Sequence, residues 1–194
     1  MSTSVDKKAR RVPAAETRER LLAAARTMFC QAGFDQLGVR ELAASAKVDP
    51  AIVIRLFGSK EALFSAVAEG AFSLEEPFDG PLDGLGLRIA HFLTGKSDAE
   101  PTDGFDGFRF LLHSAASPIA GPILSKALHA GFIAPLAKHL GGRDASTRAA
   151  LLTGCVLGFV TLRVGLGSPE LDGAPAGRVA ARLGAVLQAC LDVR

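Results

Sequence analysis

The sequence predicts an all-α protein, with an N-terminal three-helix helix-turn-helix domain and a C-terminal helical bundle that forms a homodimer. Apolar residues recur at the spacing of one helix face through most of the chain. Gly, Pro and Asp cluster between these runs, and no alternating run of β-branched residues indicates a sheet. The 194 residues are enough for a small domain followed by a larger one.

A long first helix is predicted from Pro13 to Ala32, because its apolar residues form one stripe and Gly33 is a natural terminator. A shorter helix follows, with an apolar stripe that begins at Val39 and ends at Ala46. Because a helix this short is not stable alone, it must pack on the long helix before it.

A second short helix is predicted directly after a tight turn at Lys47 and Val48. Asp49 is a suitable N-cap, and Pro50 fits the first helical position, where its missing N–H leaves no hydrogen bond unmade. The helix is expected to stop at Gly58. Two short helices joined in this way are a known means of presenting one helix to a groove of DNA.

Several spaced motifs in residues 15–68 agree with this interpretation. They are an alanine-rich helix ending in F-x-x-x-G-[FY], then V-R-x-[IL]-A-x-x-A, then F-x-[SN]-K-[ED]-x-L-[FL]. This part of the chain resembles the DNA-binding domain of the tetracycline-repressor (TetR) family. The resemblance implies a homodimeric repressor that a small-molecule effector releases from a pseudo-palindromic operator. The expected partners are therefore double-stranded DNA, an unidentified effector and a second copy of the chain, without a cofactor.

The DNA-binding motif departs from the family pattern at two positions. Gly38 stands where similar proteins carry Ser or Thr, although backbone N–H groups at that helix start can still bind a phosphate. Ile54 replaces a tyrosine and offers an apolar contact to a thymine methyl group. Arg40 and Arg55 are then the main candidates for reading guanine edges or holding phosphates. The full predicted DNA-binding set is Gly38, Val39, Arg40, Lys47, Asp49, Pro50, Ala51, Ile52, Ile54, Arg55 and Lys60.

Charge is distributed unevenly along the chain, with a basic N-terminal part and a mildly acidic remainder. Residues 1–60 carry eleven Lys/Arg against six Asp/Glu, whereas residues 61–194 carry eleven against fourteen. One basic end suits a protein that places a single face on a polyanion. We expect a flexible basic arm at 1–12, a DNA-binding domain at 13–60, and a ligand-sensing and dimerisation domain at 61–194. The basic run at 7–11 suits either an arm that reaches DNA or a solubilising tail.

The C-terminal part is predicted to consist of helices separated by Pro/Gly/Asp-rich connectors at 74–82 and 96–107. The expected helices, beginning with the one that links the two parts, are Lys60–Ser73, Asp83–Leu93, Phe108–Ala116, Pro118–Leu140, Asp144–Leu166 and Ala174–Leu191. The helix that contains Pro122 and Pro135 is expected to bend near them.

The last two predicted helices are apolar around more than one face, and Gly154 and Gly158 are spaced for close helix approach. Such a helix must be buried on all sides, either by the core of its own chain or by a second subunit. The resemblance implies that these two helices pair with those of a second copy. The expected interface residues are Leu151, Cys155, Gly158, Leu162, Leu183 and Leu187.

Histidines and phenylalanines are the remaining candidates for a binding site in the C-terminal part. No histidine pair has metal-ligand helical spacing with a carboxylate partner, so no metal site is predicted. The resemblance implies an apolar effector cavity within the bundle. The candidate lining residues are Phe92, Phe108, His113, Phe132, Phe159 and Arg163. Arg163 could equally pair with a carboxylate across the dimer interface.

The sequence has few features typical of an enzyme, a secreted protein or a membrane protein. Nucleophile-elbow, zinc-protease, Walker and Rossmann motifs are all absent from the sequence. Cys30, Cys155 and Cys190 are odd in number and widely spaced, which favours a reducing cytoplasm over disulfides. The most apolar stretch, Ala149–Leu162, is too short for a bilayer span, so no membrane association is expected. Two alternatives stay open: a helical small-molecule-binding or scaffold protein that has lost operator binding, and an enzyme on a helical bundle.

Overall fold

The computed structural model describes residues 13–72, 78, 80–95 and 106–192, and every regular element within them is a helix. In chain order the helices are α1 (Ala14–Ala32), α2 (Val39–Ser45), α3 (Pro50–Phe57), α4 (Lys60–Glu69), α5 (Leu85–Thr94), α6 (Gly107–Ser114), α7 (Ala120–Leu128), α8 (Ala134–Leu140), α9 (Ala145–Val160), α10 (Pro169–Asp172) and α11 (Ala176–Leu191). The all-α prediction is therefore confirmed. The predicted arm at 1–12 and most of both connectors lie outside the described residues.

Side-chain caps fix the ends of the short N-terminal helices where the sequence predicted them. The Asp49 carboxylate accepts the backbone N–H of Ala51 at 2.8 Å, and Pro50 opens α3. The Ser59 hydroxyl accepts the N–H of Ala62 at 3.1 Å and opens α4. These bonds satisfy N–H groups that have no partner inside the helix. The starts of α3 and α4 are thus set by local chemistry.

The predicted helix over 118–140 is continuous but widens at a π turn, His129–Ile133, between α7 and α8. Pro135 lacks an N–H, and its ring would press on the carbonyl of Gly131 in a regular α-helix, which the wider turn relieves. Pro122 lies in the first turn of α7, where no intrahelical N–H is needed, so the predicted bend there does not occur. A β-carbon at Gly131 would overlap the carbonyl oxygen of Phe72, so this turn packs directly against the segment after α4.

The N-terminal core joins α1–α4 to α6 and α7. Phe29, Phe34, Phe64 and Phe110 are buried at its centre. The ring of Phe64 lies edge-on to Phe29, with centroids 4.9 Å apart, and 4.8 Å from Phe110. Such aromatic pairs add about 0.5–1.5 kcal/mol beyond the burial of their surface. Because Phe110 belongs to α6, the core of the helix-turn-helix unit includes a helix from the C-terminal part.

The C-terminal core is formed mainly by α5, α8, α9 and α11. Helices α5 and α11 approach closely: a β-carbon at Gly86 would lie 2.5 Å from the backbone nitrogen of Gln188. The Gln188 amide oxygen also accepts the N–H of Gly86 at 3.0 Å. Leu187 faces into this core and is fully buried within one chain. Its predicted place in an exposed dimer interface is therefore wrong.

Arg148 has a buried guanidinium that donates backbone hydrogen bonds to the C-terminal ends of α8 and α11 and to the loop before α9. Its Nε donates to the carbonyl of Arg143 at 3.1 Å and its Nη1 to that of Leu191 at 2.6 Å. Its Nη2 donates to the carbonyl of Gly141, at the end of α8. The last carbonyls of a helix have no intrahelical partner, so this side chain satisfies groups that burial would otherwise leave unpaired.

We expect Arg148→Met, which keeps most of the apolar stem, to lower the free energy of unfolding by about 2–4 kcal/mol. The loss arises because the carbonyls of Gly141 and Leu191 lose their donor. Urea unfolding followed by circular dichroism measures the change. Lys138→Met, at an exposed position of α8, is the matched control. Equal unfolding midpoints for the two variants would contradict a stabilising role for this guanidinium.

Helix α9 continues through a second π turn to form one helix, Ala145–Gly165, of 21 residues. By length and composition alone this helix could cross a membrane, because it extends beyond the apolar stretch Ala149–Leu162 at both ends. The helix runs past both arginines, Arg148 and Arg163, that bound the apolar stretch in the sequence. Length and composition are weak indications of a span, and only 22% of the apolar window is buried within the chain. This exposed apolar surface therefore needs another explanation.

The sulfur atoms of Cys155 on α9 and Cys190 on α11 lie 4.0 Å apart as free thiols. Burial, and after it the neighbouring Cys155, raises the pKa of the Cys190 thiol. Cys190 therefore stays protonated, and a poor nucleophile, at neutral pH. Their contact connects the two helices that the sequence had assigned to the dimer interface.

Candidate nucleic-acid interface and effector cavity

Helix α3 carries a solvent-facing surface that combines apolar and cationic side chains. Val53 is fully buried and anchors the helix on the N-terminal core, whereas Ala51, Ile54 and Arg55 are exposed. Ile52 is half-buried at the edge of this surface. The arrangement matches the face that the sequence predicted, with one cation and one large alkyl group available to a DNA groove.

The start of α2 has no hydroxyl cap, and a carboxylate from the first turn of the helix makes a hydrogen bond there instead. The carboxylate of Glu41 accepts the backbone N–H of Gly38. That N–H is therefore engaged within the protein, which argues against its predicted use for a phosphate. Arg40 is exposed and Val39 half-buried in the first turn. The cationic side chain of Arg40 is thus the better phosphate ligand at this helix start.

The turn between α2 and α3 is also exposed. Lys47 adopts a left-handed backbone conformation there, with φ of +54°, and its side chain faces solvent. The carboxylate of Asp49 is engaged as the cap of α3, and Pro50 is half-buried beside it. Lys47 therefore contributes positive charge, while Asp49 and Pro50 shape the helix start.

Lys60, predicted to contact DNA, holds the loop between α1 and α2 in place. Its ammonium donates to the carbonyls of Phe34 at 3.1 Å and Leu37 at 2.9 Å. The same nitrogen lies 3.8 Å from the centroid of the Phe34 ring, within range of a cation–π interaction. This geometry indicates that Lys60 positions α2, and with it Arg40, rather than pointing freely at a phosphate.

The salt dependence of DNA binding by a Lys60→Met variant distinguishes a phosphate contact of Lys60 from its role in positioning α2. A lost phosphate contact lowers the magnitude of the slope of log K against log salt by about 1. We expect Lys60→Met to weaken operator binding while leaving the slope unchanged, and Arg40→Ala to reduce the slope. Fluorescence anisotropy of a labelled operator over a salt series measures both. A reduced slope for Lys60→Met would show that its ammonium contacts a phosphate.

Helix α1 adds residues to this surface that sequence reasoning missed. Thr17 and Arg20 line a shallow groove together with Ile52 and Arg55 of α3. Arg20 is exposed and lies off the apolar stripe of α1, which is the signal that could have identified it. Arg18 differs, because its guanidinium lies 5.0 Å above the ring of Phe57 and packs on the protein. The groove thus brings a second arginine close to the exposed face of α3.

A cavity of about 260 Å³ lies where the N-terminal and C-terminal cores meet. Its lining is apolar except for the hydroxyl of Thr153, and contains no charged side chain among the described residues. The lining residues are Ala71, Phe72, Phe78, Phe92, Leu93, Gly107, Phe108, Leu111, Leu128, Phe132, Thr153, Val156 and Leu157. Phe72 and Phe78 belong to the segment between α4 and α5, and no sequence signal indicates that this segment lines a pocket.

Of the six residues predicted to line an effector pocket, Phe92, Phe108 and Phe132 lie in this cavity. The other three, His113, Phe159 and Arg163, lie outside its lining, so the prediction needs correction for them. His113 is exposed, and its backbone packs against Gly33 instead. Phe159 is half-buried one turn beyond Val156.

Arg163 is engaged within its own chain. Its Nη1 donates to the carbonyl of Leu93, and its Nη2 to that of Thr94 at 3.3 Å, at the C-terminal end of α5. Its Nε lies 3.6 Å from a carboxylate oxygen of Asp172. The cation thus caps α5, which is a favourable position for positive charge.

The predicted interface residues other than Leu187 lie on or near an exposed apolar face of α9 and α11. Leu151 is 58% exposed and Leu162 is 51% exposed. Gly158 is exposed, with open space around it, whereas Cys155 and Leu183 are half-buried. The face extends to large side chains that the sequence did not single out, namely Val164, Leu166 and Val186. We call this surface the apolar face.

Two family models match the chain. The model described as bacterial regulatory proteins of the tetR family matches residues 21–67, and the model described as tetracyclin repressor-like, C-terminal domain, matches residues 83–191. Together they cover most of the helix-turn-helix unit, the apolar face, and the cavity lining except for Ala71, Phe72 and Phe78. No curated protein matches the chain.

Solved structures show the same fold. A TetR-family regulator from Streptomyces coelicolor is 28% identical, covering 94% of this chain and 99% of its own, with a TM-score of 0.56. GusR from Salmonella enterica is 21% identical over 93% of this chain and 98% of its own, with a TM-score of 0.65. Reduced E. coli NemR is 22% identical over 86% and 95%, with a TM-score of 0.62. Because the C-terminal model alone spans more than half of the chain, this protein belongs to the TetR family of DNA-binding transcriptional regulators.

Proposed function

We propose that this regulator is a cytoplasmic homodimeric repressor, which binds a pseudo-palindromic operator through α3 and leaves it when a small molecule enters the cavity. The observation that carries the proposal is the position of the cavity, which is lined by residues of both cores. Ala71 and Leu111 pack on the N-terminal core, while Phe132 and Val156 pack on the C-terminal core. A ligand bound there contacts both the N-terminal core, which supports the DNA-binding helices, and the core of the C-terminal bundle.

Contacts to DNA are assigned from exposure and charge. Arg55 projects from the exposed face of α3 and can reach the O6 and N7 atoms of guanine, the commonest specific arginine contact. Ile54, which is 48% exposed, can touch a thymine methyl group. Arg40, Lys47 and Arg20 surround α3 and suit phosphates, which fix register without reading sequence.

The apolar face is proposed to be covered by the same face of a second copy. Its five large apolar side chains are each more than half exposed, and the glycines Gly154 and Gly158, with open space around them, allow close helix approach. A two-fold dimer would present two copies of α3, and half-sites one helical turn of DNA, about 34–36 Å, or a multiple of it, apart. We expect sedimentation to give about twice the chain mass of 20.1 kDa. A monomer at micromolar concentration would contradict the dimer.

Helix α6 is the proposed link between ligand and DNA. Phe108 and Leu111 on this helix line the cavity. Phe110 packs in the N-terminal core, and the hydroxyl of Ser114 accepts the backbone N–H of Phe34 at 3.0 Å. A ligand that displaces α6 therefore shifts the loop that precedes α2. Moving the dimer from mostly bound to mostly free requires about 3–5 kcal/mol of differential affinity between the two shapes.

Selection of binding sites from a random DNA library, together with the chain's own upstream DNA, tests the proposal. We expect a selected site bound specifically, with affinity that falls steeply as salt is raised. Failure to find any site above non-specific background would overturn the repressor assignment. The helical small-molecule-binding or scaffold protein considered from the sequence would then be the better interpretation.

A further inference from the structure

From the cavity lining we infer that the effector is an uncharged, largely aromatic or alkyl molecule that carries one hydrogen-bond donor, such as a phenol or an alcohol. The inference rests on the proposed role of the cavity and names the chemical class of its ligand. It depends on three observations: the absence of charged side chains in the described lining, the hydrogen bond that the Thr153 hydroxyl already donates, and the volume of the cavity.

The described lining offers no compensation for a charged ligand. Its side chains are aromatic and aliphatic apart from Thr153, and none of them is ionisable. Transferring a charge from water to such a site costs several kcal/mol when no countercharge is present. An aromatic cage can bind a cation through ring faces. Here the rings of Phe78 and Phe132 meet edge-to-face, with centroids 4.9 Å apart, so one of the ring faces that such a cage would use is already covered.

Thr153 carries the one polar side chain among the described lining residues, so it determines the polarity of the hydrogen bond that a lining side chain can make with a ligand. Its side chain is buried, and its Oγ1 donates to the carbonyl of Ala149 at 2.7 Å in the same helix. The proton of the hydroxyl is therefore used, and the oxygen retains a lone pair that can accept. A ligand hydroxyl or N–H can donate to this oxygen, whereas a ligand carbonyl finds no donor on it.

The volume limits the size of the ligand. An apolar cavity of roughly 150 Å³ is enough for benzene. At about 260 Å³ this cavity has room for roughly two fused rings or an alkyl chain of similar volume. Phe92, which is 63% exposed while also lining the cavity, lies at its mouth and marks the side from which such a molecule enters.

Four naphthalene probes separate the possibilities: 1-naphthol, its methyl ether 1-methoxynaphthalene, 1-naphthoate and protonated 1-naphthylmethylamine. The chain contains no Trp and no Tyr, so naphthalene fluorescence can be measured without protein background. We expect 1-naphthol to bind the full-length protein, and the two charged probes to bind at least about tenfold more weakly. Equal or tighter binding of either charged probe would overturn the inference.

Variants locate the site and test its hydrogen bond. Val156→Phe fills the cavity and should abolish naphthol binding, whereas Ile119→Phe, at a 49% exposed position outside both the lining and the apolar face, should not. Thr153→Val should weaken naphthol about fivefold and leave the methyl ether unchanged, because only naphthol loses a hydrogen bond. Circular dichroism verifies that each variant is folded. Unchanged naphthol binding in Val156→Phe would overturn the assignment to this cavity.

Operator binding measured in parallel separates this inference from the proposed function. Release of the operator by 1-naphthol supports both the inferred ligand class and the proposed function. Release by a charged probe alone would overturn the ligand class while the repressor assignment stands. Naphthol binding without any release would support the ligand class and contradict the proposed coupling through α6.

Discussion

Arg55→Ala should weaken specific operator binding by about 30- to 10⁴-fold. One arginine that pairs with a guanine contributes about 1–3 kcal/mol, and a two-fold dimer makes the contact twice, so the total loss is about 2–6 kcal/mol. The side chain is exposed on α3 and has no part in the N-terminal core, so its removal leaves the fold intact. Non-specific DNA should lose much less affinity, because only its phosphates are contacted.

Fluorescence anisotropy at one fixed salt concentration, with the selected site and a scrambled duplex, measures this difference. Arg143→Ala is the matched control, since that side chain is 82% exposed and lies in the C-terminal part, away from α3. If Arg55→Ala bound the selected site as tightly as the unmodified protein, base reading by α3 would have to rest on Ile54 and not on a guanine contact.

Phe64→Ala should lower the free energy of unfolding by about 3–5 kcal/mol. Phe64 is fully buried, and its ring contacts those of Phe29, Phe34 and Phe110. Alanine leaves a cavity among these rings that rigid helices on three sides cannot close. For a chain of this length, the melting temperature should fall by roughly 6–20 °C.

Thermal and urea unfolding monitored by circular dichroism measure the loss, with Phe92→Ala as control because that ring is 63% exposed. A Phe64→Ala variant as stable as the control would contradict the central position of this ring. Because Phe110 comes from α6, the substitution should also loosen the contact between the DNA-binding helices and the cavity.

The helix-turn-helix unit could be predicted closely because its signals are local. Asp49 and Ser59 accept N–H groups within three residues, Pro50 opens α3, and Gly58 ends it where the sequence indicates. The role of Lys60 could not be predicted in the same way. Its ammonium bonds carbonyls 23 and 26 residues away, a contact that exists only after α1 and α4 have packed.

The cavity was predictable only in part. The family resemblance implies a cavity near Phe92, Phe108 and Phe132, but the side of a helix that faces a cavity depends on the packing of its neighbours. His113 lies on the same helix as Phe108 and yet faces solvent near Gly33. Leu187 was likewise assigned to a dimer surface, since apolar periodicity cannot distinguish a chain's own core from a partner's.

Hydroxyl-radical footprinting of the selected operator tests the central claim most directly, because it reports where a dimer holds α3 on DNA. The proposed two-fold dimer predicts two symmetric protected regions whose centres lie one helical turn, about 10 base pairs, or a multiple of it, apart. Arg55→Ala should erase both regions together, whereas Arg143→Ala should leave them unchanged. A single protected region, or protection that does not depend on Arg55, would contradict a two-fold dimer that reads its operator through α3.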